Sequence, residues 1–170
     1  MSRPASKRPV VVSDSGPLIA LAGCGHLELL IAVFDGVHVP QVVLRESTVD
    51  RSRLGAADIA AFVQVHGKVH PDRDDAIYTA AASHLDEGEA QALSLAHALG
   101  CGVLMDERRG RQTAIRQGVP LFGVLGVLLQ AKRIGRIDRI APALAQIQSN
   151  GYRISQALID AALKLAAEAD

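Results

Sequence analysis

Apolar residues along this chain gather in two kinds of segment. Short runs of branched residues at 10–13, 37–39, 103–105 and 121–122 read as strands, and between them apolar positions recur at spacings of three and four, the signature of helices. The first run, Val10-Val11-Val12-Ser13, ends at Asp14. Pro17 then opens a short helix with an apolar face of Leu18, Ile19, Leu21 and Ala22, which Gly23 and Gly25 end. A second short helix covers 26–32. Pro40 opens a third, through Val42, Val43, Leu44 and Glu46, and residues 56–65 make a fourth with Ile59, Phe62 and Val63 facing inward. The acidic start and Ala-rich end of residues 71–85 suggest a loop leading into a helix. Asp86 caps the stronger helix 87–99, and Gly100 closes it. After the strand at 103–105 come a helix over 107–117, the strand at 121–122, a helix over 125–133, and two more near 143–148 and 156–167. This βαβα alternation predicts the α/β class, a parallel sheet with helices on both faces.

Composition narrows the picture. A length of 170 residues fits one domain, 10–170, behind a flexible leader, 1–9, that carries Arg3, Lys7, Arg8 and two prolines. Nearly half the chain is apolar, yet aromatic content is 3% with no Trp, so the core must be built from Ala, Leu, Val and Ile. Cys24 and Cys101 stand far apart with no CxxC spacing and no signal peptide, which points to a reducing, cytoplasmic setting. The most apolar stretch, 119–131, is broken by Pro120, Gly123 and Gly126 and is too short for a bilayer. No membrane partner is expected.

Net charge is zero, so the molecule lacks the long-range positive field of a dedicated nucleic-acid binder. Locally the signs separate. Asp72, Asp74, Asp75, Asp86, Glu87 and Glu89 make the middle acidic, and the segment from Arg108 to Arg139 is basic. That arrangement suits a phosphodiester held by metal ions beside a basic rim, or an ordinary solvated surface of mixed charge.

Four acids stand on stripes that should face inward. Glu46 follows Val42 and Val43 at spacings of four and three, and Glu89 begins the stripe Ala92, Leu93, Ala96, Leu99. Strand alternation puts Asp14 on the side of Val10 and Val12, and Asp106 on that of Leu104. Buried together, four carboxylates repel and lose hydration, costs that raise their pKa values or demand a cation. Oxygen ligands without a matching His or Cys set favour Mg²⁺ or Mn²⁺ over zinc. Hydrolysis of a phosphodiester suits that chemistry. Each acid also has a plainer reading: Asp106 as the cap of the helix after it, Asp86 with Glu89 as an acidic capping box, Glu46 as a surface residue. Ser15 would hold a water or a phosphate oxygen, or satisfy the Ser-Gly-Pro turn.

With those residues in place, the chain resembles the PIN-domain family, the nuclease fold of VapC-type toxins. The resemblance runs from Val10 to Ile137 through Val-Ser-Asp14-Ser15-Gly-Pro-Leu, Val-Pro-Gln-Val-Val-Leu-Arg-Glu46, Leu-Asp-Glu-Gly-Glu89-Ala-Gln-Ala-Leu and Leu-Met-Asp106-Glu-Arg-Arg-Gly-Arg. It is nearest to a branch marked by the Asp-x-Gly-Glu-Ala segment and by the Gly-Val-Leu-Gly-Val-Leu run at Gly123. The resemblance implies a three-layer α/β/α sandwich with a central parallel sheet and Mg²⁺- or Mn²⁺-dependent cleavage of single-stranded RNA. It also implies Asp14, Glu46, Glu89 and Asp106 as catalytic metal ligands, with Ser15 at the hydroxyl position. Glu89 departs from the aspartate of better-known toxins. Arg108, Arg109 and Arg111 would hold RNA phosphates or meet an antitoxin, or simply face solvent. The rival reading is a catalytically idle PIN-like domain that binds RNA or regulates. A phosphatase or receiver domain lacks its lysine and hydroxyl partners. The apolar residues of the last two helices would serve a homodimer or their own core. Of the six histidines only His66 and His70 are close enough in sequence to suggest a metal pair, and all six read as structural or surface groups.

Overall fold

The computed structural model describes residues 8–169, so the leader expected over 1–9 falls mostly outside the described residues. Five parallel strands form one sheet in the order β3-β2-β1-β4-β5: β1 (Val10–Ser13), β2 (Gly36–Pro40), β3 (Gly67–His70), β4 (Gly102–Leu104) and β5 (Leu121–Phe122). Strand alternation assigns neighbours to opposite faces. Val11, Val37, Val39 and Leu104 join one apolar cluster. Val12, Val103 and Met105 join the other.

The first cluster is covered by α1 (Ser15–Gly23), α2 (Leu29–Val33), α3 (Gln41–Thr48), α4 (Ala56–His66), α8 (Val124–Arg133), α9 (Ala141–Ser149) and α10 (Gln156–Leu165). The second lies under α5 (Ala76–Ala82), α6 (Glu87–Leu99) and α7 (Arg108–Arg116). Helices therefore flank a parallel sheet on both sides, as the alternation predicts. Almost all large core side chains are aliphatic; Phe34 and Phe122 meet edge to face, with ring centroids 5.1 Å apart.

β3 has no counterpart in the sequence reading. Its four residues, Gly-Lys-Val-His, carry one branched apolar side chain, and Val69 is exposed, so no apolar run announces the strand. It is recruited by pairing with β2, Val37 to Gly67 through Pro40 to His70. Gly67 permits the abrupt change from α4, because a Cβ there would lie 2.8 Å from Val63 Cγ1 and 2.9 Å from the Val63 carbonyl oxygen. Two smaller differences bear on the site. Helix α7 starts at Arg108, with Glu107 as its cap, and Leu99 at the end of the Glu89 stripe is exposed.

The strand order reverses between β1 and β4, since β1 is followed outward by β2 and β3 on one side and by β4 and β5 on the other. A crevice at the carboxyl ends of strands opens at such a switch point. Asp14 and Asp106 leave the sheet on either side of it, and the Asp14 N–H donates to the Leu104 carbonyl at 3.0 Å.

Candidate metal centre

Asp14 is the first residue past β1 and the N-cap of α1, yet its carboxylate does not cap that helix. The side chain is buried, and Oδ1 has no hydrogen-bond partner. Burial, opposed in part by the Ser15 N–H and reinforced by the charges of Asp86, Glu89 and Glu46, pushes its pKa up to about 7. A buried acceptor without a donor is costly in any fold. Here it lies within reach of the charges of three other acids.

Gly88 marks the meeting place. A Cβ on it would sit 2.5 Å from Glu46 Oε2 and 3.4 Å from Asp14 Oδ1, so the first turn of α6 stays bare to let both carboxylates approach. Glu46 hangs from α3 half-buried, as the Val42 and Val43 stripe predicts. Its pKa is raised by burial and by Asp86, Arg45 opposing. Glu89 is buried and does two things. Its Oε2 accepts from the Asp86 N–H at 3.2 Å while Asp86 accepts from the Glu89 N–H at 2.8 Å, completing the capping box. Its Oε1 faces Gly110 of α7, 3.2 Å from where a Cβ would be. Burial and the Asp86 charge raise its pKa too.

Asp106 is held apart from these three. It does not cap α7; it reaches the N-terminus of α8, where the Val124 N–H donates to both its oxygens at 3.2 and 3.3 Å. Gly123 makes that approach possible, because a Cβ would lie 2.7 Å from Asp106 Oδ1 and 2.9 Å from an Arg111 nitrogen. The Tyr152 hydroxyl donates to Asp106 Oδ2 at 2.8 Å. Burial raises the Asp106 pKa, with Tyr152, Val124 and Arg111 working the other way. Tyr152 also leans on Gly16, its hydroxyl 3.3 Å from the Cβ position, and its own pKa is raised by burial and by Asp106 and Asp14. Its hydroxyl thus links the β4 side of the crevice to the β1 side. Sequence reasoning missed it. One tyrosine between α9 and α10 carries no local signal of a partner 46 residues earlier.

The remaining candidates divide. Ser15 opens α1 half-buried beside Asp14. Arg111 is half-buried, donates to the Met105 carbonyl at 3.0 Å and stands beside Asp106. Arg108 and Arg109 are exposed. Among the described residues no group of three or more His, Cys, Asp or Glu side chains is placed to hold a metal ion by itself. The donors nonetheless suit a hard divalent cation: oxygens only, of which Asp14 Oδ1 is unpartnered. The histidines pair differently from their sequence spacing. His38 Nδ1 meets His70 Nε2 at 2.7 Å across β2 and β3, and His66 instead approaches Glu28 at 3.9 Å. Among the described residues no helix is long and apolar enough to cross a membrane.

The same architecture occurs in solved structures. A PilT N-terminus domain protein, SSO1118, from Sulfolobus solfataricus P2 superposes with a TM-score of 0.52 at 12% identity, over 72% of this chain and 92% of that one. PAE2754 from Pyrobaculum aerophilum gives 0.55 at 19% identity, over 74% and 90%. At such identities the likeness concerns the fold. No curated protein matches the chain. The family model DUF3368, described as a PIN domain, matches residues 10–168. With that match spanning nearly the whole sequence, the chain belongs to the PIN-domain family.

Proposed function

We propose that this protein is a Mg²⁺- or Mn²⁺-dependent endoribonuclease that hydrolyses single-stranded RNA, acting as the toxin of a toxin–antitoxin pair. The observation that carries the reading is the buried, unpartnered Asp14 oxygen at the switch point, with Glu46 converging on the same glycine and Glu89 adding its charge. Asp14 and Glu46 would hold the ion, with Glu89 and Asp106 completing the acidic wall. When bound, a divalent ion supplies positive charge for the phosphate oxygens and makes water a better nucleophile at neutral pH. Water oxygen bonds to phosphorus, one ester P–O bond breaks, and a proton passes to the departing oxygen. Arg111 stands at the wall to bind phosphate, as does the Ser15 hydroxyl beside Asp14. The capping box fixes the Glu89 carboxylate so that no rotamer freedom is lost when the site fills. The toxin role rests on family resemblance.

A second reading, an idle PIN-like domain that binds RNA or regulates, is favoured by one observation: Asp106 is already engaged by Tyr152 and Val124. Turnover separates the two. Purified protein with Mn²⁺ should cleave a single-stranded RNA, and Asp14→Asn should abolish cleavage with the unfolding transition intact. Saturable RNA binding without cleavage, under any divalent ion, would establish the second reading instead.

A further inference from the structure

A cavity of about 590 Å³ adjoins the acidic wall, reaching Asp106 and Arg111 at one end and Gln130 among its lining. The geometry points to this cavity as the seat of one nucleobase of the bound RNA, with Gln130 reading its edge. The inference rests on the ribonuclease reading and names what part of the substrate is held beside that site.

The volume lies in the range of small-ligand pockets, roughly 300–1,000 Å³. Its walls suit a flat heterocycle. Phe122 supplies an aromatic surface, Leu121 and Leu125 are aliphatic, and bases stack on such platforms whatever their sequence. Phe122 is also immobilised, its ring set edge to face against Phe34.

Helix α8 provides the ruler. Gly123, Gly126, Val127 and Gln130 recur at spacings of three, four and seven, so they share a face, and all four line the cavity. The Val124 N–H holds Asp106, and Gln130 lies six residues on, about 9 Å along the axis. A nucleotide bridging that length would keep its phosphate near Arg111 and its base edge near the Gln130 amide. That amide offers both a donor and an acceptor, the two functions needed to read a base edge. Glycine at 126 explains itself in the same way. Inside a helix Gly costs about 1 kcal/mol relative to Ala, and a Cβ here would meet nothing within 4 Å. Packing does not require it, and the bare position leaves that side of the cavity open to a ligand. The Gly-Val-Leu-Gly-Val-Leu run thereby acquires a purpose that the acidic wall alone does not supply.

The test is calorimetric titration of the whole chain, without divalent ion, with the four ribonucleoside 5′-monophosphates and with ribose 5-phosphate. At least one nucleotide should bind saturably and more tightly than ribose 5-phosphate, with a preference among bases. Gly126→Leu should weaken that binding about tenfold or more, the loss of one stacked base, with melting temperature unchanged or raised. Gln130→Leu should level the base preference. Equal binding of ribose 5-phosphate, absence of saturable nucleotide binding, or a Gly126→Leu protein that binds as before would each overturn the inference. Because no cleavage is read, a protein that cuts RNA but ignores mononucleotides would sink the pocket and leave the nuclease standing. One that binds nucleotides but never cuts would do the reverse.

Discussion

Glu168 and Asp14 are both carboxylates with little access to water, and they have opposite surroundings. The Glu168 side chain is 4% exposed and accepts from Lys132 Nζ at 2.8 Å and from the Ile140 and Ala141 N–H groups at 2.8 and 2.9 Å. Burial alone would raise its pKa; Lys132 and the two N–H groups at the start of α9 outweigh that and pull it to about 2. Asp14, 7% exposed, has one oxygen with no donor and acids for neighbours, and its pKa rises to about 7. The first arrangement fastens α10 to α8 and α9. The second weakens the fold where a positive ligand would repair it.

Glu168→Ala should show the largest effect, because it removes the charge partner of Lys132 and leaves two N–H groups at the start of α9 without their acceptor. A loss of about 3 kcal/mol, read from the urea midpoint at constant slope, is expected. Millimolar Mn²⁺ should move wild-type stability the other way, by about 2.7 kcal/mol when the ion is at a hundred times its Kd. Asp14→Asn should erase that gain, and an ion-induced melting shift that survives the substitution would place the ion elsewhere.

Asp14→Asn in the absence of metal should itself stabilise the protein at pH 8. The sign follows from proton binding. Asp14 holds its proton more tightly folded than unfolded, so its favourable contribution is complete below about pH 4 and is lost as pH rises through about 7. Glu168 behaves oppositely, stabilising above its ordinary value of 4.5 and failing as pH falls through about 2. The difference between Asp14→Asn and wild type should therefore grow from pH 4 to 7 and then level. A difference that stays flat over that interval would mean Asp14 is not strained. Tyr152→Phe should be the mildest change, costing about 1 kcal/mol, since the Val124 N–H still serves Asp106.

How much of this was legible in the chain depends on whether the cause was local. Val10 to Asp14, the capping box at Asp86 and the Gly100 stop are written in adjacent residues, and the structure has all three. The inward aim of Glu46 followed from helical spacing. What escaped depends on distant chain. β3 exists because β2 accepts it, the His38–His70 contact follows from that pairing, and the Asp106 cap is drawn from α8, 18 residues away. Tyr152 and Glu168 are further still from what they hold. No periodicity encodes such closures.

The two outer strands have a consequence for behaviour in concentrated solution. β5 has only two residues and follows Pro120, while β3 has four, bears Lys68 and is followed by Pro71. Proline withholds an amide hydrogen and lysine resists being covered, so neither border offers a long template onto which another polypeptide could add. Ribbon-like self-propagation is thus suppressed at both margins, and a second copy would have to dock through side chains on the helical layers.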